Sequence, residues 1–300
     1  MNYITDFFSE AHAALVSQSG YNEKGKHYSE YFDLNSFARM YILHEYTANA
    51  DGGLASTFFL KLPQDDKLYA VTPWDFDFAL FSATTQHRFG IDYSSPYGWV
   101  TALSSIPAAS AFSGKPIPTL FRSAMGHEEF RDLVAELWEE LAPLTEKILE
   151  EELPRMAEEN RASAVMDAYR WGISYVNSED RTFRKLQGYI AIKPDDYAAQ
   201  ADAYLRVTEH MADKCRIRVE ELNVGLSKDA ALVFLSGREG EAYTVPEPMQ
   251  KLGSELSVPK YSYKGTRIYR WNTSPDLSGA FYNFEDSMLL TERTTVLYAD

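Results

Sequence analysis

Apolar residues recur at intervals of three and four along the first fifty residues and predict two amphipathic helices. The first helix covers residues 3–17. The second begins behind Asp33, whose side chain is suited to capping a helix, and continues to about His44. It is expected to end within 48–53, where two adjacent glycines follow short residues that favour turns.

The pattern then changes to that of a β-hairpin. Runs of β-forming residues at 56–61 and 67–71 predict two strands, and Pro63-Gln-Asp-Asp66 between them predicts the turn. Residues 82–118 are rich in serine, glycine and proline and show no periodicity. An irregular segment of this length inside a folded domain is usually functional or packed against another element.

Helical periodicity dominates from Leu120 to Leu222. Pro143 is expected to begin a new helix, because a proline in the first turn loses no hydrogen bond. The predicted helices cover 120–125, 130–141, 143 onwards, 163–176, 178–188 and 196–222. After 226–229 short β-type runs separated by glycine and proline replace the helices, which predicts a domain boundary there.

Two aspartates lie in an otherwise apolar and aromatic stretch, Trp74-Asp75-Phe76-Asp77, directly behind the second hairpin strand. An ionised carboxylate is costly to bury unless a partner compensates it, so this pair favours a bound cation. The alternative is an edge strand, in which residues two apart point to the same side and both aspartates face solvent. The spacing alone does not separate these two interpretations.

Composition limits the classes of function. The formal net charge of −15 over 300 residues argues against a general nucleic-acid-binding protein, which needs a basic surface. No apolar run is long enough for a transmembrane helix, and the first residues do not have the pattern of a signal peptide. The single cysteine, Cys215, excludes an internal disulfide and a cysteine-cluster metal site.

The order of parts around the hairpin is that of a protein-kinase catalytic lobe. Asp51 opens the loop behind the second helix, Ser56 follows it, and Asp75 comes directly after the hairpin. Phosphoryl transfer needs one carboxylate near the attacking hydroxyl and further oxygen ligands on Mg²⁺. Because a hairpin returns the chain on itself, the residues before and after it are expected to meet at one place.

The residues in this order resemble the CotH family of spore-coat protein kinases, over about residues 1–226. The matching positions are Asp33, Ser36, Phe37, Tyr41, Glu45, Asn49, Asp51, Ser56 to Lys61, Lys67-Leu68, Pro73 to Asp77, Leu120-Phe121, Glu128 to Arg131, Trp138, Asn160, Trp171 and Arg216–Leu222. The resemblance implies an atypical kinase with a mostly helical C-terminal lobe that contains the β-hairpin.

The resemblance also implies roles for individual residues. Asp51 is expected to be the catalytic carboxylate, and Asp75 to bind the metal as the aspartate of the kinase Asp-Phe-Gly motif does. Ser56 stands where kinases place asparagine and is expected to be a further metal ligand. Asp77 is either another metal ligand or a structural acceptor, and Trp74 either belongs to the core or contacts the nucleotide. The implied cofactors are ATP and Mg²⁺, for which Mn²⁺ can substitute.

The family also has an N-terminal part whose basic residues hold the nucleotide phosphates. This chain begins close to the catalytic-lobe helix, so it resembles a CotH domain that lacks its N-terminal lobe. We therefore expect poor or absent kinase activity from these 300 residues alone.

A second resemblance covers residues 230–300. It is to the Listeria–Bacteroides repeat, of the internalin B-repeat type, and it implies a small β-grasp-like fold from bacterial surface proteins without catalytic residues. The matching positions are Gly253 to Pro259, Gly265, Tyr269 to Trp271, Gly279, Tyr282, Phe284 and Thr294 to Ala299.

The sequence therefore predicts an α+β chain with a CotH-kinase-like domain at 1–226 and a surface repeat at 230–300. The expected reaction is Mg²⁺-dependent transfer of the γ-phosphoryl group of ATP to serine or threonine of a secreted, coat or surface protein. The expected location is extracellular or at the cell surface, including association with the cell wall. The alternative is a non-catalytic adhesion protein built on a degenerate kinase lobe.

Overall fold

The structure, a computed structural model, describes residues 2–49, 52, 57–76, 79–81, 95–99, 119–171, 196–238, 248–261 and 267–300. The helical elements are α1 (Asn2–Val16), a 3₁₀ turn (Tyr28–Glu30), α2 (Leu34–Tyr46), α3 (Leu120–Met125), α4 (Glu128–Lys147), a π turn (Ile148–Glu152), α5 (Leu153–Trp171) and α6 (Tyr197–Gly225). The strands are β1 (Phe58–Lys61), β2 (Leu68–Val71), β3 (Ala230–Ser236), β4 (Met249–Lys251), β5 (Glu255–Ser257), β6 (Arg270–Asn272), β7 (Phe281–Asn283), β8 (Ser287–Leu289) and β9 (Thr294–Ala299). This mixture of helices and sheets confirms the predicted α+β class.

Helix α2 is central to the first core. Its cap is the predicted one, since the Asp33 carboxylate accepts a hydrogen bond from the backbone N–H of Ser36 at 2.8 Å. Phe37 on the buried face of α2 stacks with Phe121 of α3, with 4.8 Å between ring centroids, and packs against Phe130 of α4 at 5.6 Å. Such aromatic pairs stabilise a core beyond the area that they bury, so α2 fixes the positions of the elements around it.

The predicted hairpin is confirmed. Strands β1 and β2 pair antiparallel, with Phe58 opposite Val71 and Lys61 opposite Leu68. The hairpin is attached to α2, because the Ala70 backbone N–H donates to the Ser36 hydroxyl at 3.2 Å. The chain therefore leaves β2 beside α2.

The prediction for Pro143 is wrong. The proline lies inside α4, which continues through the π turn into α5. A proline within a helix removes one hydrogen bond and crowds the preceding turn. Trp138 before it and Leu149 after it are both buried in the same core, and this packing outweighs the local loss. The predicted helix at 178–188 lies outside the described residues.

The β-rich region contains a five-stranded sheet in the order β4-β3-β9-β6-β7, in which β3 and β9 pair in parallel. Strand β3 serves two cores, because successive side chains point to opposite faces. Ala231, Val233 and Leu235 pack with the buried Trp271, whereas Leu232 and Phe234 pack against the helical core. The sheet therefore packs directly against the helical part. The division into domains at 226–229 stays a prediction.

Candidate active site

The chain leaves α2 in a strained turn. Ala48 has a φ of 47°, which is unfavourable for a residue with a Cβ, and the Gly52 backbone N–H donates to the Asn49 carbonyl at 2.9 Å. Helix α2 ends at Tyr46, just before the stretch 48–53 near which the sequence predicts its end. The polar side chains here are not solvated: His44, Glu45 and Asn49 each have 0% exposure. A buried polar turn of this kind needs specific partners to be stable.

Glu45 has such a partner in Arg218 of α6, and both side chains are fully buried. The Arg218 Nη2 donates to Glu45 Oε2 at 2.8 Å, and its Nε donates to the Glu45 backbone carbonyl at 2.8 Å. The third donor, Nη1, reaches the Pro96 carbonyl at 3.1 Å, and the guanidinium lies 4.6 Å from the Trp99 ring centroid. Burial lowers the pKa of Arg218, and the Glu45 carboxylate offsets part of this effect.

His44 lies beside Glu45 and faces the loops that follow α2 and β2. Its ring stacks on Phe76, with centroids 5.4 Å apart and planes 10° from parallel. Its Nδ1 is 3.3 Å from the Asn49 amide nitrogen, and its buried Nε2 has no hydrogen-bond partner among the described residues. Burial lowers the pKa of His44 to about 4, so the imidazole is neutral at neutral pH.

The segment behind β2 is not an edge strand, so that alternative is wrong. Residues 72–75 have no regular structure, and Thr72 and Asp75 have φ values of 57° and 60°. Extended strands need strongly negative φ, so Asp75 sits in a sharp turn instead. Its side chain is exposed at the base of the hairpin. An accessible carboxylate is a ligand that Mg²⁺ prefers, so Asp75 fits the role of a metal ligand.

Trp74 does not belong to the core, which corrects one of the two interpretations of this residue. It is 57% exposed, and its ring makes an edge-to-face contact with Phe58, with 6.1 Å between ring centroids. The side chain therefore offers an aromatic surface next to Asp75. Such a surface suits stacking with a planar base.

Three of the predicted site residues, Asp51, Ser56 and Asp77, lie outside the described residues. Their sequence neighbours Gly52 and Phe76 are described, and both lie against His44. Within the described ranges, no group of three or more histidine, cysteine, aspartate or glutamate side chains could hold a metal ion. The complete ligand set proposed for the metal thus stays a prediction.

Sequence reasoning missed the two side chains that organise this region, His44 and Arg218. Arg218 is 173 residues from Glu45, and no local pattern links them. One indication was available: Glu45 follows Tyr41 by four residues and therefore lies on the buried face of α2. A carboxylate on an apolar face requires a cation from elsewhere in the chain.

None of the described helices is long and apolar enough to cross a membrane. No curated protein and no solved structure matches this chain. A family model described as CotH kinase protein matches residues 2–195, which include α1 to α5 and the hairpin. The match ends before the β-rich region, so the resemblance to the surface repeat stays a prediction. Because the match spans well over half of the sequence, the chain belongs to the CotH kinase family, a family of atypical kinases.

Proposed function

We propose that the protein transfers the γ-phosphoryl group of ATP to a serine or threonine of a secreted, coat or surface protein, with Mg²⁺ bound to the phosphates. The observation that carries the proposal is the geometry of Asp75. In a chain of the CotH kinase family, this carboxylate is exposed in a left-handed turn directly behind a hairpin that packs on α2. A metal-bound nucleotide needs such an accessible carboxylate.

The other residues take the roles expected from the family. Asp51 positions the attacking hydroxyl as the catalytic carboxylate, Ser56 and Asp77 complete the metal site, and Trp74 contacts the nucleotide base. Two contacts support a common site for Asp51 and Asp75. The residues that directly follow them, Gly52 and Phe76, both lie against His44.

The β-rich region is proposed to be a β-grasp-like surface repeat that carries no chemistry. Support comes from the parallel pairing of its first and last strands, β3 and β9, inside a mixed sheet. This assignment, together with the family, leads us to propose a location outside the cell or at its surface.

The test is calorimetric titration of the whole chain with ATP in the presence and absence of Mg²⁺ or Mn²⁺. We expect metal-dependent binding that Asp75→Asn weakens at least tenfold, because the substitution removes a charged ligand. The matched control is Asp66→Asn, which removes an exposed carboxylate from the turn of the same hairpin and should bind like the wild type. Turnover of ATP by these 300 residues alone is expected to be poor, and any turnover that is measured should be lost in both Asp51→Asn and Asp75→Asn.

Equal binding by Asp75→Asn and the wild type would contradict the metal role. Absence of any metal-linked nucleotide binding by the whole chain would favour the non-catalytic adhesion protein instead.

A further inference from the structure

We propose that His44 is a positioning residue that holds the loop after α2 and the segment after β2 in one fixed arrangement. The identities of Asp51 and Asp75 as site residues rest on the proposed function. The contacts of His44 do not, because they join two segments of backbone whatever those segments bind.

The first contact is with Phe76. The imidazole and the phenyl ring are nearly parallel, and their centroids are 5.4 Å apart. Phe76 directly follows Asp75 in the sequence, so the position of its ring limits the position of that residue. Asp75 is in a left-handed turn, a backbone conformation that persists only where the surrounding structure supports it.

The second contact is with Gly52. A Cβ at this position would lie 2.8 Å from His44 Cγ, 2.9 Å from His44 Cβ and 2.9 Å from the Asn49 carbonyl oxygen. These distances are shorter than van der Waals contact, so the backbone directly after Asp51 is pressed against the histidine and only glycine fits there.

The His44 ring is itself held in place. It is fully buried, and the Asn49 amide lies within hydrogen-bond distance of its Nδ1. The adjacent residue Glu45 is anchored to α6 by the buried pair with Arg218. The same end of α2 also holds the chain after Phe76, because the Leu80 backbone N–H donates to the Thr47 carbonyl at 2.6 Å.

The His44 side chain therefore contacts both Gly52, which follows Asp51, and Phe76, which follows Asp75. Removing the ring would leave a space between Gly52 and Phe76, and the two segments could then move independently. The substrate-free protein should already show this change, which separates the positioning role from any property of the nucleotide.

The primary test is hydrogen exchange of the nucleotide-free chain, followed in peptides that contain the Gly52 and Leu80 amides. We expect His44→Ala to speed exchange at both sites by about tenfold or more. Phe76→Leu, which keeps an apolar side chain but removes the stacked ring, should also speed exchange at Gly52. The matched control is His127→Ala. His127 also stacks on an aromatic ring, that of Tyr28, with 4.4 Å between ring centroids, but it is far in the sequence from Gly52 and Leu80. It should leave both amides as in the wild type.

The second readout is the affinity for ATP with Mg²⁺ under conditions where each variant is fully folded. His44→Ala should weaken binding about tenfold, His127→Ala should not weaken it, and His44→Phe, which restores a flat ring, should bind more tightly than His44→Ala. Unchanged exchange at Gly52 or Leu80 in His44→Ala would overturn the proposal, as would equal effects of His44→Ala and His127→Ala. A wild-type chain that binds no ATP while His44→Ala still speeds exchange would refute the proposed function and leave the positioning role standing.

Discussion

Two buried arginines mark two different contacts of the molecule. Arg218 joins α6 to α2, and each of its three guanidinium nitrogens donates a hydrogen bond to Glu45 or Pro96. Arg122 of α3, 4% exposed, lies against β3, where its Nη2 donates a long 3.4 Å bond to the Leu235 carbonyl. Its guanidinium lies 4.5 Å from the Phe234 ring centroid, and its Nη1 has no hydrogen-bond partner within the described ranges. In the part of the chain that the structure describes, Arg122 forms no ion pair.

The two arginines differ in what their charges do. The charge of Arg218 holds α6 to α2 through its pair with Glu45, whereas the charge of Arg122 is merely accommodated by the packing around it. Burial lowers the pKa of Arg122 to about 9, and among the described residues no carboxylate pairs with it to offset the desolvation. Arg218 is desolvated to the same extent, but the Glu45 carboxylate offsets part of the cost of burying its charge. A buried pair is sensitive to the loss of one partner, whereas an unpaired charge has no ionic partner to lose. Substitutions at the two positions should therefore change the stability of the protein by very different amounts.

The largest expected effect is that of Arg218→Met. It leaves the Glu45 carboxylate buried without a cation, and such a loss destabilises proteins by about 3–5 kcal/mol. Urea denaturation of the whole chain would measure it. The double variant Glu45→Leu/Arg218→Met should recover much of the loss, because no charge is then left buried. If the free energy of unfolding of Arg218→Met lies within about 1 kcal/mol of the wild-type value, the contrast between Arg218 and Arg122 is wrong.

His44 should make the stability of the folded protein depend on pH. Its pKa is about 4 in the folded protein and near 6.5 when unfolded, so the unfolded state binds the extra proton between these values. Stability should therefore fall as the pH is lowered from 7 to 4.5, with about 2–3 kcal/mol of the fall due to His44. Denaturation curves of the wild type and His44→Phe at both pH values isolate this part. An equal fall in the two proteins would contradict the prediction.

Arg122→Met should change stability by only about 1 kcal/mol in either direction, because the lost cation–π contact and the relieved desolvation oppose each other. Methionine retains most of the packing against Phe234. Arg122→Ala should be clearly less stable than Arg122→Met, since it opens a cavity against β3. A loss from Arg122→Met as large as that from Arg218→Met would mean that the two arginines are equivalent.

The smallest effect is expected at the rim of the contact between the helical part and the sheet. Arg293, in the loop before β9, pairs with Glu128 at 2.6 Å and with Asp132 at 2.8 Å on α4. Arg293 is partly buried, but both carboxylates are exposed, and ion pairs that water reaches contribute about 0.2–1 kcal/mol and are screened by salt. Arg293→Gln should therefore shift the urea midpoint slightly at low salt and hardly at all in 1 M NaCl. A shift that persists in high salt would indicate a buried contact.

Local elements could be predicted because their causes lie within a few residues. The Asp33 carboxylate caps the helix that it precedes, and the turn at 63–66 joins two strands that are adjacent in sequence. The core interpretation of Trp74 and the expectation that Pro143 begins a helix are wrong for the opposite reason. The exposure of an aromatic ring and the continuation of a helix through proline depend on what the rest of the fold places beside them.

The candidate site divides in the same way. The spacing of Asp51 and Asp75 across a hairpin, and the family that this spacing indicates, could be inferred from the sequence, because residue types and spacing are local properties. The tertiary structure alone decided that Asp75 turns into solvent in a left-handed conformation, that Glu45 meets Arg218, and that His44 lies between Gly52 and Phe76. These contacts join residues whose proximity results from packing of the whole chain, and no short-range preference encodes it.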